Sequence, residues 1–396
     1  MSSSCESIPV LYIKANNNYD VGYKIGQTFK HFIRDHLTSE TAKSLWSFYE
    51  SKDGRKKYAD SLEATRKSYP NIIEEIQGMA DGSDVSFEKL FLQDMVSEIL
   101  LHYSHVSKDV DNTDREVAGC TDVMVNTESC RLIGHNEDWS PEVRDGMFMV
   151  NVDLDKGTPS ETVKGNKEVN NVFASRNERY LANMFPGFLA GNTFYVNETF
   201  AVSVNSLVPV SVNEGAVPVD ILLRALIGCV SIEECVTVMK NEPVGCSFGI
   251  NLNIASRQSA NMWSLEVYPD YGKTLVSLRE IPYSDSAVTD SYYIHTNHYK
   301  HVEKAKESPV LEGSRAREET AGNMPVPAKI QDVCSVLGDT SSHIEPIHRV
   351  PGKSFNRNSR TTTIASAIFD MNNDLLRVYL NNPKTSKYPS LKLPFV

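Results

Sequence analysis

The chain has 396 residues, of which 40% are hydrophobic and 23% charged, and its 40 basic and 51 acidic side chains leave a net charge of −11. That is the composition of a folded globular protein, and the acidic balance argues against nucleic acid or an anionic membrane surface as partner. No stretch reaches the ~18–20 apolar residues of a membrane span, and Met1–Ile13 lacks the basic start and apolar run of a signal peptide, so the expected location is the cytoplasm.

The first third reads as helical. With Asp20 as cap, Val21, Ile25, Phe29 and Ile33 recur every fourth residue and mark one core-facing stripe. A second helix follows Pro70, carries Ile72, Ile73 and Ile76, and is expected to stop at Asp81-Gly82; another begins after Ser86 with Phe87, Leu90 and Phe91. From His105 to Glu116 the pattern dissolves into a polar connection. At Cys120 the period changes from helix to strand, and the main boundary is placed there: 1–119 mainly helical, 120–396 carrying the chemistry.

Thr121–Val125 and Arg131–Asp138 read as an antiparallel hairpin around a polar turn. Further strands are expected at Thr193–Val204, Ile250–Ile254, Met262–Val267, Ser291–Thr296, Thr361–Phe369 and Leu375–Leu380. Helices are expected near Val219–Leu226 and after Ser231, whose Glu234 completes a capping box. Asp155–Val169 and Glu303–Lys329 read as charged loops. On these grounds alone the fold class is mixed α/β with a helical first part.

The seven cysteines, Cys5, Cys120, Cys130, Cys229, Cys235, Cys246 and Cys334, are odd in number and never form a CxxC pair, which predicts reduced thiols, no disulfide framework and no zinc site. Cys120 stands apart because it begins a strand behind a small residue and a polar loop. A lone cysteine is more often an inert core residue. With the hairpin turn centred on Glu128, however, Cys120 faces Asn136, and Asp138 lies on the same face ~7 Å further along, so that thiol and carboxylate flank one pocket. The run Gly134-His135-Asn136-Glu137-Asp138-Trp139 is too polar for a half-buried strand unless partners or function account for it.

Rival sites are weaker. His295, His298 and His301 are spaced for one helix face, but Tyr292-Tyr293-Ile294 favours a strand ending in a loop, where they do not converge on a metal. His343 and His348 fall in a proline-bearing stretch without HExxH, and a Cys–His protease needs a pairing that spacing cannot show. Tyr180, Phe185, Phe188 and Tyr195 suit either an aromatic pocket or the core.

Gly119-Cys120-Thr121, the run ending in Trp139, His295-Thr296-Asn297-His298, and Ser359-Arg360 before a threonine-rich strand and Asn382-Pro383 together resemble the cysteine Ntn-hydrolase family that includes the fungal penicillin-side-chain acyltransferases. Asp20-Val21-Gly22-Tyr23 and Ala80-Asp81-Gly82 resemble the branch acting on N-β-alanyl amines. The resemblance implies a four-layer αββα sandwich and cleavage between Gly119 and Cys120 into pieces 1–119 and 120–396 that stay associated, able to pair as a dimer of heterodimers. It also implies Cys120 as nucleophile, Asp138 as the carboxylate of the centre, Asn297 as the oxyanion-hole amide and Arg360 as the orienting cation, with no cofactor and no metal.

The implied reaction is hydrolysis of a small amide, β-alanyl-dopamine or carcinine, through a Cys120 thioester, with Glu137 and Glu198 as candidates to hold the substrate ammonium. Acyl transfer from acyl-CoA is the alternative, against which stands the lack of a phosphate-cradling glycine loop. A third reading is a non-catalytic binding protein on the same scaffold.

Overall fold

Four glycines fix how the first segment packs. Gly22 and Gly26 lie on helix α1 (Asn18–Thr28), and Gly78 and Gly82 on α5 (Pro70–Ser83). A methyl group on any of them would collide with the facing helix backbone: Gly22 with the Glu75 carbonyl, Gly26 with that of Met79, Gly78 with that of Tyr19 and Gly82 with that of Tyr23. The two helices therefore touch backbone to backbone, which only residues without a Cβ permit. The cap of α1 is Asn17, whose side chain accepts from the Asp20 N–H at 2.8 Å, so Asp20 is inside the first turn instead of capping it. Helix α5 runs past Asp81-Gly82 and ends on Asp84, in the left-handed region at φ 55°.

The structure, a computed structural model, describes residues 7–106, 119–157, 176–286, 289–307, 312–350 and 361–396. Between α1 and α5 lie α2 (Lys30–His36), α3 (Glu40–Glu50) and α4 (Lys52–Ser68), and after them α6 (Phe87–Gln93) and α7 (Val96–Val106). The helical first third also contributes one strand that its periodicity concealed. Strand β1 (Val10–Ala15) pairs in parallel with β4 (Phe148–Leu154) and forms one edge of an eight-stranded sheet.

That sheet continues from β4 through β5 (Glu178–Met184), β6 (Phe194–Asn197), β7 (Phe200–Leu207), β8 (Gly249–Ser256), β9 (Met262–Asp270) and β10 (Lys273–Ile281). The expected strand over Thr193–Val204 is a hairpin, because Asn197 turns the chain by accepting from the N–H groups of Thr199 and Phe200 at 2.8 and 2.7 Å. The second sheet has six strands in the order β11 (Tyr292–His295), β2 (Gly119–Asn126), β3 (Arg131–Trp139), β12 (Thr362–Asp370), β13 (Leu375–Tyr379) and β14 (Leu391–Pro394). A short helix, α8 (Pro141–Arg144), follows β3.

The two sheets stack with β2 and β3 against β7. Helices α9 (Val219–Leu226) and α10 (Ile232–Lys240), with α1 and α5, cover the eight-stranded sheet. Helices α11 (Glu312–Gly322) and α12 (Ile330–Leu337) cover the six-stranded one, where Val123, Val125, Ile294 and Ile368 pack with Val333, Val336 and Leu337. The layers are thus helix, sheet, sheet, helix, as the resemblance implied. Helix α11 corrects the expectation of a loop over Glu303–Lys329: its polar sequence hides a face carrying buried Ser314, Ala316, Arg317 and Ala321.

The first segment is not a separate unit. Glu75 on α5 is fully buried and takes three hydrogen bonds from Arg224 of α9, at 2.7 to 3.0 Å, while Arg224 also meets Glu178 of β5 at 2.8 Å. A buried, multiply bonded guanidinium of this kind fixes register between layers, because neither charge can be left unpaired out of water.

Candidate active site

The β2–β3 hairpin decides which side chains meet Cys120. Thr127 and Cys130 bond each other across the turn in both directions, at 3.1 and 3.3 Å, leaving Glu128-Ser129 as a two-residue loop. The turn centre therefore lies between Glu128 and Ser129, half a residue beyond the expected one, and the register moves by one: Cys120 faces Glu137, and Asp138 faces Gly119. Because strand side chains alternate, this step exchanges the two faces. Glu137, and not Asp138, shares the side of the thiol, which corrects the expected pairing.

The face of Cys120 points between the sheets. Its Sγ is 4.0 Å from Glu137 Oε2, which in turn lies 3.2 Å from His135 Nε2. His135 Nδ1 is 2.9 Å from Asp122 Oδ2. Asp122 accepts further bonds from β7, from the Ser203 hydroxyl and from Asn205 Nδ2, and Asn205 is braced by Asn251 and Asn253 of β8 at 3.0 and 2.8 Å. Asp122, His135, Ser203, Asn205, Asn251 and Asn253 are all fully buried. This polar column meets the condition that buried polar groups be partnered, and it accounts for the polarity of the β3 run.

The opposite face looks toward α11. Arg317 Nη1 donates to the Cys120 carbonyl oxygen at 2.6 Å and to Thr121 Oγ1 at 2.7 Å, and Nη2 donates to Asn297 Oδ1 at 2.7 Å. The same Asn297 oxygen accepts from the Cys120 N–H at 3.0 Å, while Asn297 Nδ2 donates to Ser206 O at 3.0 Å. Asp138 accepts from the Thr363 hydroxyl at 2.6 Å and faces the guanidinium groups of Arg349, at 3.3 Å, and Arg317, at 3.8 Å. Arg349 is shared with Glu345 at 3.0 Å.

Electrostatics follow from burial. The Cys120 thiol is pushed well above its ordinary value by burial first, then by the charges of Glu137, Asp122 and Asp138, with Arg317 opposing. Burial likewise raises Glu137, against the hydrogen bond and charge of His135. Burial by itself disfavours a charged His135, but Asp122 and Glu137 outweigh it and lift the imidazolium to about 10. Burial, reinforced by the charge of Arg349, brings Arg317 down to about 10. At rest the thiol is protonated, so a nucleophilic role requires a nearby acceptor for its proton.

Of the residues singled out in the sequence, Gly119, Cys120, Glu137, Asp138 and Asn297 converge at one end of the hairpin. Asn297 arrives there because β11 pairs with β2 and the loop behind it is anchored on Glu266. That carboxylate accepts from His295 Nε2 at 2.9 Å and from the N–H groups of Lys300, His301 and Val302 at 2.7 to 2.9 Å. The Asn297 oxygen, not its N–H, faces Cys120. Arg360 lies outside the described residues. Glu198 sits 61% exposed on the turn between β6 and β7, with Arg179 at 4.0 Å. Ser206, which touches Asn297, is six residues along β7 from its first residue Phe200, so Glu198, on the turn before that strand, is roughly 20 Å from the site.

Tyr180 and Tyr195 are core residues, Tyr180 beneath the Arg224 guanidinium. Phe185 and Phe188 pack edge-on against Trp139, which follows Asp138, at 5.4 and 5.9 Å. The six described cysteines are buried free thiols. No helix among the described residues is long and apolar enough to cross a membrane.

Sequence reading missed Arg317, Arg349, Glu345 and the Asp122–His135 pair as site residues. A signal was present for the last, since Asp122 and His135 each lie two residues from a singled-out position and hence on its face. For Arg317 there was none, its segment having no apolar periodicity.

Comparison with known proteins gives three kinds of likeness. Residues 125–385 match the family model described as acyl-coenzyme A:6-aminopenicillanic acid acyl-transferase. The chain is 26% identical over 400 residues to the beta-alanyl-dopamine/carcinine hydrolase of Drosophila melanogaster, covering 99% of this chain and 97% of that one. Among solved structures it is similar to a mutant of conjugated bile acid hydrolase from Clostridium perfringens, with 12% identity, a TM-score of 0.39, and 70% and 92% of the two chains covered. Penicillin V acylase from Agrobacterium tumefaciens is also similar, with 14% identity, a TM-score of 0.34, and 66% and 82% covered. With the family model matching about two thirds of the chain, from the end of β2 through β13, the chain belongs to the acyl-coenzyme A:6-aminopenicillanic acid acyl-transferase family.

Proposed function

We propose that the protein is a self-processing amidohydrolase in which Cys120 is the nucleophile and N-β-alanyl amines are the substrates. The observation that carries this reading is the way Cys120 is held by its backbone: the N–H on Asn297 and the C=O on Arg317, with the thiol turned into the column headed by Glu137. A core cysteine has no use for a cation on its carbonyl and a carboxamide on its nitrogen. A residue that must present both its sulfur and its own nitrogen to one reaction does.

In processing, the thiol attacks the Gly119 carbonyl carbon, the Gly119–Cys120 amide bond breaks as the nitrogen takes up a proton, and water hydrolyses the resulting thioester to a Gly119 carboxylate and the free thiol. A side chain at 119 would press on Arg349 and Asn297, each 3.1 to 3.2 Å from where its Cβ would stand. The freed α-amine, with an ordinary pKa of ~7.7–8.0, accepts the thiol proton near neutrality and remains on the Asn297 oxygen. The thiolate then attacks the substrate carbonyl, the departing amine leaves protonated, and water releases β-alanine from the acyl-enzyme. Asn297 Nδ2 donates one hydrogen to Ser206 O, and this reading assigns its second to the oxyanion of a substrate carbonyl bound at the thiol. The pieces 1–119 and 120–396 stay together because β1–β4 pairing and the Glu75–Arg224 bonds cross between them; pairing of two such heterodimers belongs to the same reading.

Glu137 is the residue proposed to hold the substrate ammonium. A β-alanyl group places its cation two carbons from the carbonyl, within reach of a carboxylate 4.0 Å from the attacking sulfur. Acyl transfer is disfavoured because the whole-length relative bears a hydrolase name. The decisive experiment is N-terminal sequencing of purified protein with parallel incubation in β-alanyl-dopamine, β-alanyl-histamine and a phenylacetyl amide. The expected results are a fragment beginning Cys-Thr-Asp-Val-Met, release of both β-alanyl amines, and an uncut, inactive Cys120→Ala. An active wild type with an intact Gly119–Cys120 bond would refute the mechanism, and release from the phenylacetyl amide alone would refute the substrate class.

A further inference from the structure

Cys120 Sγ, His135 Nε2 and a Glu137 carboxylate oxygen lie within 4.8 Å of one another, all buried, on the inward face of the β2–β3 hairpin. No metal motif announces them in the sequence, because one ladder pair and one strand repeat bring them together: Cys120 opposite Glu137, His135 two residues before it. Thiolate, imidazole nitrogen and carboxylate oxygen are the donor types zinc accepts, at ~2.0–2.3 Å, which spaces tetrahedral ligand atoms by roughly 3.3–3.7 Å. Two of the three spacings, 3.2 and 4.0 Å, are already close to that range, and a side-chain rotation of up to about 1 Å closes the third.

The outer contacts point the same way. His135 presents its other nitrogen to Asp122 at 2.9 Å, and Asp122 is fixed by Ser203 and Asn205. A carboxylate behind the imidazole orients the ring and, once the Nε2 proton has been displaced, raises the basicity of Nε2 as a ligand.

We propose that Cys120, His135 and Glu137 form a site for one Zn²⁺ or a similar borderline divalent cation, and that occupancy reversibly silences the thiol. Binding involves no electron transfer. The metal loses water ligands, bonds form to Sγ, Nε2 and a Glu137 oxygen, and the thiol proton and any proton on Nε2 pass to buffer. If the chain is cut before Cys120, the freed amine becomes a fourth donor and closes a five-membered ring through N, Cα, Cβ and S. An amide nitrogen in the uncut chain offers no such lone pair, so processed protein binds the metal more tightly than uncut protein. The inhibitory effect rests on the nucleophile reading above, whereas metal binding does not.

The test uses purified full-length protein stripped with a chelator and titrated with ZnCl₂, and separately with CoCl₂ as the spectroscopic probe. Expected are one equivalent bound, a cobalt–thiolate charge-transfer band with intense tetrahedral d–d absorption, and hydrolysis lost on metal addition and restored by chelator. Asp122→Asn should weaken binding ~10–100-fold with the same spectrum, and Cys120→Ser should abolish the charge-transfer band. Octahedral cobalt without a thiolate band in the wild type, or equal zinc affinity in wild type and His135→Ala, would overturn the proposal. Metal-free turnover of Cys120→Ala judges the nucleophile separately: an inactive variant alongside a wild type that ignores zinc would sink the metal site alone.

Discussion

The guanidinium of Arg317 reaches through the outer face of the six-stranded sheet and donates to the carbonyl oxygen of Cys120 at 2.6 Å. It does so from α11, the helix that polar composition disguised. Three hydrogen bonds, to Cys120, Thr121 and Asn297, make Arg317 a positioning residue for the proposed nucleophile. Arg317→Lys keeps a charge but not the planar fork, so turnover should fall ~10–100-fold through misplacement of Cys120 and Asn297. Arg317→Met should also lower stability, by about 1–3 kcal/mol, since the buried Cys120 carbonyl loses its side-chain donor. Steady-state kinetics with urea unfolding of both variants checks this, and an Arg317→Lys enzyme with wild-type turnover contradicts it.

Glu137 shares the face of the thiol, and its effect should therefore depend on the charge of the substrate. Glu137→Gln removes a charge-assisted contact of ~1.5–3 kcal/mol, which is a ~10–100-fold rise in KM for a β-alanyl amide. For a neutral acyl group of the same length the change in KM should be less than about 3-fold on the same argument. Equal losses for the two substrates would place the ammonium elsewhere.

Glu266 anchors the loop that delivers Asn297. Burial alone would raise its carboxyl, but the hydrogen bond and charge of His295, with His301, bring it down to about 2 from an ordinary 4.5. A depressed carboxylate stabilises the fold above its unfolded value, and that contribution disappears as pH falls from about 4.5 through about 2. The wild type should exceed Glu266→Gln by about 3 kcal/mol near neutrality, with the gap closing across that acid window. Urea midpoints measured from pH 7 to 2 test this; a gap independent of pH would rule it out.

The α1–α5 contact makes a sharp stability prediction. Gly78→Ala puts a methyl group into the Tyr19 carbonyl, and Gly22→Ala puts one into that of Glu75, where backbone cannot yield. Each should cost about 3 kcal/mol or more, at the upper end of overpacking penalties. Gly322→Ala at the end of α11, with nothing within 4 Å of the added carbon, is the control and should change stability by less than about 1 kcal/mol. Thermal unfolding of the three variants is sufficient, and equal melting temperatures would show that the helices can separate at little cost.

What the residues determined locally was legible without the fold. The four-residue repeat from Val21 to Ile33 runs through α1 and α2, the breaks near Pro70 and Ser86 fall at helix starts, and Ser231 caps α10 by accepting from the Glu234 N–H at 3.2 Å. Glu234 departs from the full capping box, its carboxylate bonding Val230 N–H and Arg176. The β2–β3 hairpin was equally legible because alternation and a polar turn are short-range signals. Its register was not, since a two-residue loop and a turn centred one half-residue earlier look alike in composition yet send Glu137 and Asp138 to opposite faces. Strand β1 was invisible for a related reason: six residues carry too little period to announce a parallel partner more than a hundred positions away.

Sequence by itself therefore determined where helix gives way to strand and which thiol stands at that junction, because both are properties of neighbouring residues. Only the tertiary structure decided which charges surround the thiol. Arg317, Asn297 and Asp122 reach Cys120 and its hairpin through sheet order, helix packing and a one-residue register, and each of these is set by burial summed over the whole core.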